Sequence, residues 1–236
     1  MELSVLLPTF NERAALDLLG PRLEAATDRG RCEILVIDDH SPDGTANWVR
    51  EREAAGRWRV LERPGRAGLA SAVIDGFAAS SGEIIVVMDA DGSHPPELLP
   101  ALIEPIRSGR AEMTIGSRRL PGGSGPGLGA VRRTISGGAT WLARPLAHVT
   151  DPMSGFFAID RRVLGRAPLT PLGYKIGLEV LVKCRPKPVV EVPFRFAARL
   201  AGESKLGGAE MMRYLRHLGR LYRWRVVGAG RASSTR

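Results

Sequence analysis

Two cysteines, Cys32 and Cys184, occur in 236 residues, far apart and in no metal-ligand spacing. That scarcity argues against a disulfide scaffold and for a reduced, cytosolic protein. Aromatic residues make up only 6% of the chain, and there is no stacking signature of a nucleic-acid binder. The longest apolar runs, such as Ile84 to Met88, are strand-sized, whereas a spanning helix needs about 20 apolar residues. Glu2 and Pro8 interrupt any secretory apolar segment. No glycine fingerprint for a dinucleotide follows the first strand, no phosphate loop with Gly-Lys-Ser/Thr occurs, and no Ser-His-Asp signature is visible.

What is present is a basic chain able to build a core. Lys and Arg number 34 against 25 Asp and Glu, a formal charge of +9, and 44% of residues are hydrophobic. The surplus charge favours polyanionic partners: phosphorylated substrates, anionic lipid or nucleic acid. Leu3–Leu7, Ile34–Ile37, Arg59–Leu61, Ile84–Met88 and Met113–Ile115 read as strands. Between them Arg13–Arg29, Thr45–Ala55, Leu69–Ser80 and Glu97–Ser108 read as helices. Apolar runs without alternation, repeated as βαβ units, predict an α/β fold with a mostly parallel sheet and functional loops at the strands' carboxyl ends. The glycine-rich stretch Pro121–Gly129 reads as a linker or a lid. Beyond it we expect a helix near Thr134–Ala147, a strand near Phe156–Ile159, a helix near Ile176–Lys183, a strand near Val189–Phe196 and a last helix near Ala209–Val227. The expected division is a catalytic domain at 1–207, an amphipathic helix at 208–227 and a disordered tail at 228–236.

The densest chemistry is Asp89-Ala90-Asp91, directly after the buried run IIVVM. Residues i and i+2 at a strand end point the same way, so both carboxylates can face one point. Two hard oxygen ligands suit Mg²⁺ or Mn²⁺, with a diphosphate and water completing the shell. Asp38 and Asp39 end the second strand; one is expected to bind a nucleotide, the other to serve the turn, with Asp43 or Thr45 capping the next helix. Pro8-Thr9-Phe10-Asn11-Glu12 ends the first strand, so three strand ends converge on one edge. His40 and His94 read as turn residues.

VLLPTFNE, VIDDHSPDGT, DAD with HPPE, GSR at 116–118, DPMSGFF at 151–157, GYKIGLE at 173–179 and GESKL at 202–206 resemble the family-2 glycosyltransferases. Within them the likeness is to the dolichol- and polyprenol-phosphate mannosyltransferases, from Leu3 to about Leu221. The resemblance implies a glycosyltransferase A fold, Rossmann-like, and inverting sugar transfer from a nucleotide diphosphate, most often GDP-mannose, to a dolichyl or polyprenyl phosphate. It puts Pro8, Thr9, Phe10, Glu12, Ile37 and Asp39 around the nucleoside. Asp89, Ala90 and Asp91 would hold metal and donor, with Lys175, Arg199 and Lys205 on the donor phosphates. Arg118, Arg132, Ser136, Arg199 and Ser204 would surround the acceptor phosphate, Arg118 with a catalytic part. Where the family often has a glutamine after the second acid, this chain has Ser93, which leaves the third metal ligand open between that hydroxyl and a water.

A phosphate monoester is already anionic at neutral pH, so no strong general base is expected; a cluster of Arg and Lys is. In the last helix Met211, Tyr214, Leu215, Leu218, Leu221, Tyr222 and Val226 fall on one side and Arg213, Arg216, Arg220 and Arg223 on the other. By its pattern such a helix either lies in the headgroup plane of a membrane or packs on its own domain. With the family resemblance the expectation is a peripheral protein on the cytoplasmic face of a membrane, with or without a separately encoded anchoring subunit. The competing readings are a UDP-glucose donor, a silent nucleotide-sugar-binding subunit and a basic nucleic-acid module; nucleic acid is not an expected partner.

Overall fold

Apolar runs with no polar face need cover on both sides, and the chain supplies it with helices. A computed structural model describes residues 1–54, 56–125, 138, 140–170, 172, 175–197 and 208–233, with side chains of the last helix at 211–226. Strands β1 (Leu3–Thr9), β2 (Cys32–Asp38), β3 (Trp58–Glu62) and β4 (Ile84–Val87) alternate with α1 (Arg13–Ala26), α2 (Thr45–Glu53) and α3 (Leu69–Ala79), and α4 (Leu99–Arg107) follows. β5 (Met113–Ser117), β6 (Phe157–Asp160) and β7 (Val189–Pro193) complete a seven-stranded sheet in the order β3-β2-β1-β4-β6-β5-β7. β6 runs antiparallel to β4 and β5; the other pairings are parallel.

The sheet divides the core into two layers because successive side chains point to opposite faces. On one face Leu6, Ile37, Ile85 and Val87 pack with Val73 and Phe77 of α3, and with α6 (Ile176–Lys183) and α7 (Gly208–Ser233). On the other, Val5, Leu7, Ile34, Val36 and Val86 pack with Leu16 and Leu19 of α1, Trp48 of α2 and Leu102 of α4. Each fully buried aliphatic side chain contributes roughly 1.5–3 kcal/mol, so the sheet is a stiff platform for whatever its edges carry.

Several boundaries differ from the sequence reading. α1 ends at Ala26 and its last turn gives way to extended Thr27. The expected Glu97 helix starts as a 3-10 turn, Pro96–Leu98, because Pro95 and Pro96 deny it the first amides. A four-residue helix, α5 (Arg161–Leu164), is too short to show a period; the Asp160 carboxylate caps it by accepting from Arg162 N–H at 2.9 Å. Residues 140–143 are helical and Arg144–Leu146 form a 3-10 turn, while 134–137, and 126–129 of the glycine-rich stretch, lie outside the described residues. The last helix does not stop at 227: it runs Gly208–Ser233, into the stretch expected to be a disordered tail.

The larger correction concerns which side of α7 is covered. Of the seven apolar residues expected on one side, Tyr214, Leu218 and Leu221 are buried in the domain, whereas Leu215, Tyr222 and Val226 are exposed. His217 is buried with them; its Nε2 lies 3.2 Å from Glu179 Oε2, and Lys183 Nζ is 2.6 Å from Oε1 of the same carboxylate. Burial alone would raise the Glu179 carboxyl, but the His217 and Lys183 bonds outweigh it and hold it low. The helix is thus packed on its own domain along one stripe. No helix among the described residues is long and apolar enough to cross a membrane.

Candidate active site

Parallel pairing of β1, β2 and β4 brings Thr9 level with Asp38, and Leu6 level with Val87. The loops after these strands therefore open on one edge. Because β6 is antiparallel, the segment entering it, 151–156, reaches the same edge, as do the ends of β5 at Ser117 and β7 at Pro193.

The loop after β4 is closed on itself. Asp91 Oδ1 accepts from Ser93 N–H at 3.0 Å, Gly92 sits at φ 79°, and Asp89 N–H donates to His94 Nδ1 at 2.9 Å. A side chain at Gly92 would strain that left-handed turn. Ser93 carbonyl accepts from Ala197 N–H, tying the loop to the segment after β7. Asp91 is buried, Asp89 half-exposed, and Ala90 packs into the core. Ser93 Oγ is fully buried and has no hydrogen-bond partner among the described residues. Two carboxylates and an orphaned hydroxyl within five residues fit a small hard cation, and with two acids the site must draw its remaining ligands from substrate or water. No group of three His, Cys, Asp or Glu suited to a metal occurs among the described residues.

Across the edge, Arg118 Nε and Nη2 donate to Asp151 Oδ2 and Oδ1 at 2.7 and 2.8 Å, and Arg118 N–H adds a third bond. Asp151 is fully buried; burial would raise its carboxyl, but Arg118 outweighs it and holds it low. The guanidinium keeps donors beyond those spent on Asp151. Lys175 Nζ donates to Met153 carbonyl at 2.8 Å. Burial, then Arg118, pushes this ammonium down to about 8, against the pull of Asp89 and Asp151. A Cβ placed on Gly155 would lie 3.7 Å from His94 and 3.9 Å from Asp89, so the 151–156 segment rests directly against the acidic loop.

At the other end of the edge the two neighbouring acids have separate duties. Asp38 accepts from Thr9 Oγ1, Ser41 N–H and Ser41 Oγ, which makes it the turn residue. Asp39 is ion-paired with Arg63 at 2.6 Å and accepts from Gly68 N–H at 3.2 Å. Asp43 accepts from Thr45 N–H and from Arg13 N–H, so one carboxylate serves the starts of α2 and α1. Asn11 and His40 both take positive φ, 61° and 59°, and Asn11 N–H donates to Ser41 Oγ. The Arg66 guanidinium sits 4.3 Å from the Phe10 ring centre, a flat cationic face beside a flat aromatic one.

A family model described as Glycosyl transferase family 2 matches residues 4–166. The chain belongs to that family. This family-2 member is 44% identical over 230 residues to the dolichol-phosphate mannosyltransferase of Pyrococcus furiosus, covering 95% of the chain and 64% of the relative. It is 37% identical over 236 residues to the protein of the same name from Saccharomyces cerevisiae, covering 94% and 87%. It is 36% identical over 219 residues to the undecaprenyl-phosphate mannosyltransferase of Micrococcus luteus, covering 88% of each. Glucosyl-3-phosphoglycerate synthase of Mycobacterium tuberculosis, solved with Mn²⁺, UDP-glucose and phosphoglyceric acid, aligns with a TM-score of 0.67 at 24% identity over 95% of this chain and 79% of that one. That likeness shows the glycosyltransferase A fold.

Of the residues expected in this family-2 site, Pro8, Thr9, Phe10, Glu12, Asp39, Asp89, Asp91, Ser93, Arg118 and Lys175 stand along the one edge. Ile37 does not offer its side chain there; it is fully buried among Leu6, Val73 and Phe77. Arg132, Ser136, Arg199, Ser204 and Lys205 lie outside the described residues. Sequence reasoning missed Arg63, Arg66 and Asp151 and set His94 aside. The first two sit in the Pro- and Gly-rich loop after β3, whose placement at a strand's carboxyl end was the available signal.

Proposed function

We propose that this family-2 glycosyltransferase moves mannose, with inversion, from GDP-mannose to the phosphate of a polyprenyl monophosphate at a membrane surface. The observation that carries the reading is one sheet edge on which the Asp89–Asp91 loop, the Arg118–Asp151 pair and Lys175 lie within electrostatic reach of one another. Acids at one side and fixed cations at the other suit a reaction between two phosphate-bearing substrates. The relatives' names, each joining mannosyl transfer to a polyprenyl phosphate, support the choice of substrates.

In this reading Asp89 and Asp91, with Ser93 or a water, hold Mg²⁺ or Mn²⁺. A divalent cation there supplies positive charge for the departing nucleoside diphosphate. Asp39 and Arg63, with the Phe10–Arg66 face, hold the nucleoside end. Arg118, oriented by Asp151, and Lys175 offset the repulsion between an anionic acceptor and an anionic donor. The attacking oxygen arrives deprotonated, so no side chain is assigned as a base.

The membrane part rests on the outer side of α7. Met212, Leu215 and Val226 are exposed, Val226 to 72%, and Trp141 of the adjoining helical residues 140–143 to 71%. Arg213, Arg216, Arg220 and Arg223 are also exposed. Each arginine near an anionic surface contributes about 1 kcal/mol. We place the protein on the cytoplasmic face, where its two free cysteines stay reduced.

The test is product formation from GDP-mannose, UDP-glucose and other nucleotide sugars, with a short polyprenyl phosphate in solution or a long one in anionic liposomes. GDP-mannose should be preferred, and the liposome reaction alone should weaken with salt. Transfer from UDP-glucose only would overturn the donor, and no transfer from any donor would overturn the enzyme reading. A salt-independent liposome reaction would move membrane attachment to a partner subunit.

A further inference from the structure

Asp89 lies just past the sheet pairing of β4, where Met88 N–H still donates to the Leu6 carbonyl at 3.2 Å. Its own N–H needs an acceptor outside the sheet, and His94 Nδ1 provides it at 2.9 Å. A ring nitrogen that accepts carries no hydrogen, so the imidazole is neutral, with its proton on Nε2. Nε2 lies 3.8 Å from Asp89 Oδ2. The ring therefore binds the main chain of Asp89 and lies beside its carboxylate, beyond hydrogen-bond length.

The ring is itself held. It is 2% exposed and stacks on Phe156 at 4.8 Å and 9°, with Phe194 and Phe196 edge-on at 5.7 and 5.9 Å. These aromatics come from the segment entering β6 and the segment leaving β7. A ring needed only to fill that pocket would not require a nitrogen aimed at Asp89.

We propose that His94 is a positioning residue for the cation site: it anchors the main chain of Asp89, and with it the start of the acidic loop, so that Asp89 and Asp91 bind one divalent ion together. The proposal rests on the metal-dependent reading given above. It assigns to His94 the part that partners of metal ligands commonly play, whose loss weakens metal affinity roughly 10–100-fold.

The experiment is a Mn²⁺ titration followed by electron paramagnetic resonance, with MnCl₂ and GDP as probes, on the full chain and four variants. Asp91→Ala should abolish binding and so locate the ion. His94→Phe keeps the stacked ring and loses the acceptor; it should unfold near the wild-type temperature and bind Mn²⁺ roughly 10–100-fold more weakly. His94→Asn, whose Oδ1 can stand near the Nδ1 position, should lose stability yet recover most of the affinity. If His94→Phe does not fold, His94→Asn against His94→Ala repeats the contrast in a smaller side chain. Wild-type affinity in folded His94→Phe, or equal weakness in the Asn and Ala variants, would overturn the proposal while leaving the metal reading in place. Wild-type affinity in Asp91→Ala would overturn the metal reading and the proposal with it.

Discussion

At the amino-terminal edge of the sheet Glu33 accepts from Ser4 Oγ, Ser81 N–H, Ser81 Oγ and Arg59, all within 2.8 Å. Arg161 nearby donates to Gly82 carbonyl, Phe77 carbonyl and Ser80 Oγ. At the opposite edge Ser93 Oγ is buried without a partner among the described residues, and Lys175 has lost part of its hold on its proton. Both edges carry buried charge. At the first, hydrogen bonds outweigh the burial that would raise Glu33 and hold its carboxyl at about 2. At the second, Arg118 likewise holds Asp151 low, but at Lys175 burial wins over the neighbouring acids. Charge satisfied inside the protein serves the fold, and charge left with unspent capacity is available to a ligand.

Substitutions should therefore separate activity from stability according to the edge they touch. The largest effect is expected for Asp91→Ala. Removing an acid from the cation loop should lower kcat by about 10²–10³-fold or more, while thermal unfolding stays near wild type. A parallel collapse in stability would make Asp91 a residue of the fold and blur the contrast.

Glu33→Gln should do the reverse. Weakening a buried carboxylate with four donors should cost about 1–3 kcal/mol of stability with kcat/KM unchanged. The folded carboxyl titrates near 2, below the roughly 4.3 of an unfolded chain. Its contribution is thus complete above the unfolded value and is lost as pH falls toward 2. Denaturant titrations between neutral pH and pH 3 should show wild type losing more stability than Glu33→Gln across that window.

The smallest effect concerns pH and rate. Lys175 is a cation below about 8 and loses its charge above it. The alkaline limb of kcat/KM, which reports the free enzyme, should bend near that value. Lys175→Arg should lower the rate but straighten the limb, because a guanidinium titrates above about 12. An unchanged limb in this variant would assign the titration to another group.

Much of this contrast was legible in the chain before folding. IIVVM followed by Asp-Ala-Asp announces a strand covered on both faces that ends in two co-directed acids, and both properties are local. The part of His94 was not legible, because its meaning comes from Phe156, Phe194 and Phe196, which lie far along the chain and meet it only in the fold. Asp151 was hidden for the same reason, its partner Arg118 being on another loop. In α7 the period was correctly readable, but periodicity cannot say which apolar residues the protein's own domain covers; Tyr214, Leu218 and Leu221 are covered and Leu215, Tyr222 and Val226 are not.

The central claim is that the carboxyl-end edge performs metal-dependent sugar transfer between two phosphate-bearing substrates. Its most direct test is transfer from GDP-mannose to a short polyprenyl phosphate by wild-type protein, before and after chelation, with Mg²⁺ or Mn²⁺ then restored. The account predicts that chelation abolishes transfer, that either ion restores it, and that the unfolding temperature barely moves. Full transfer in the presence of chelator would contradict it.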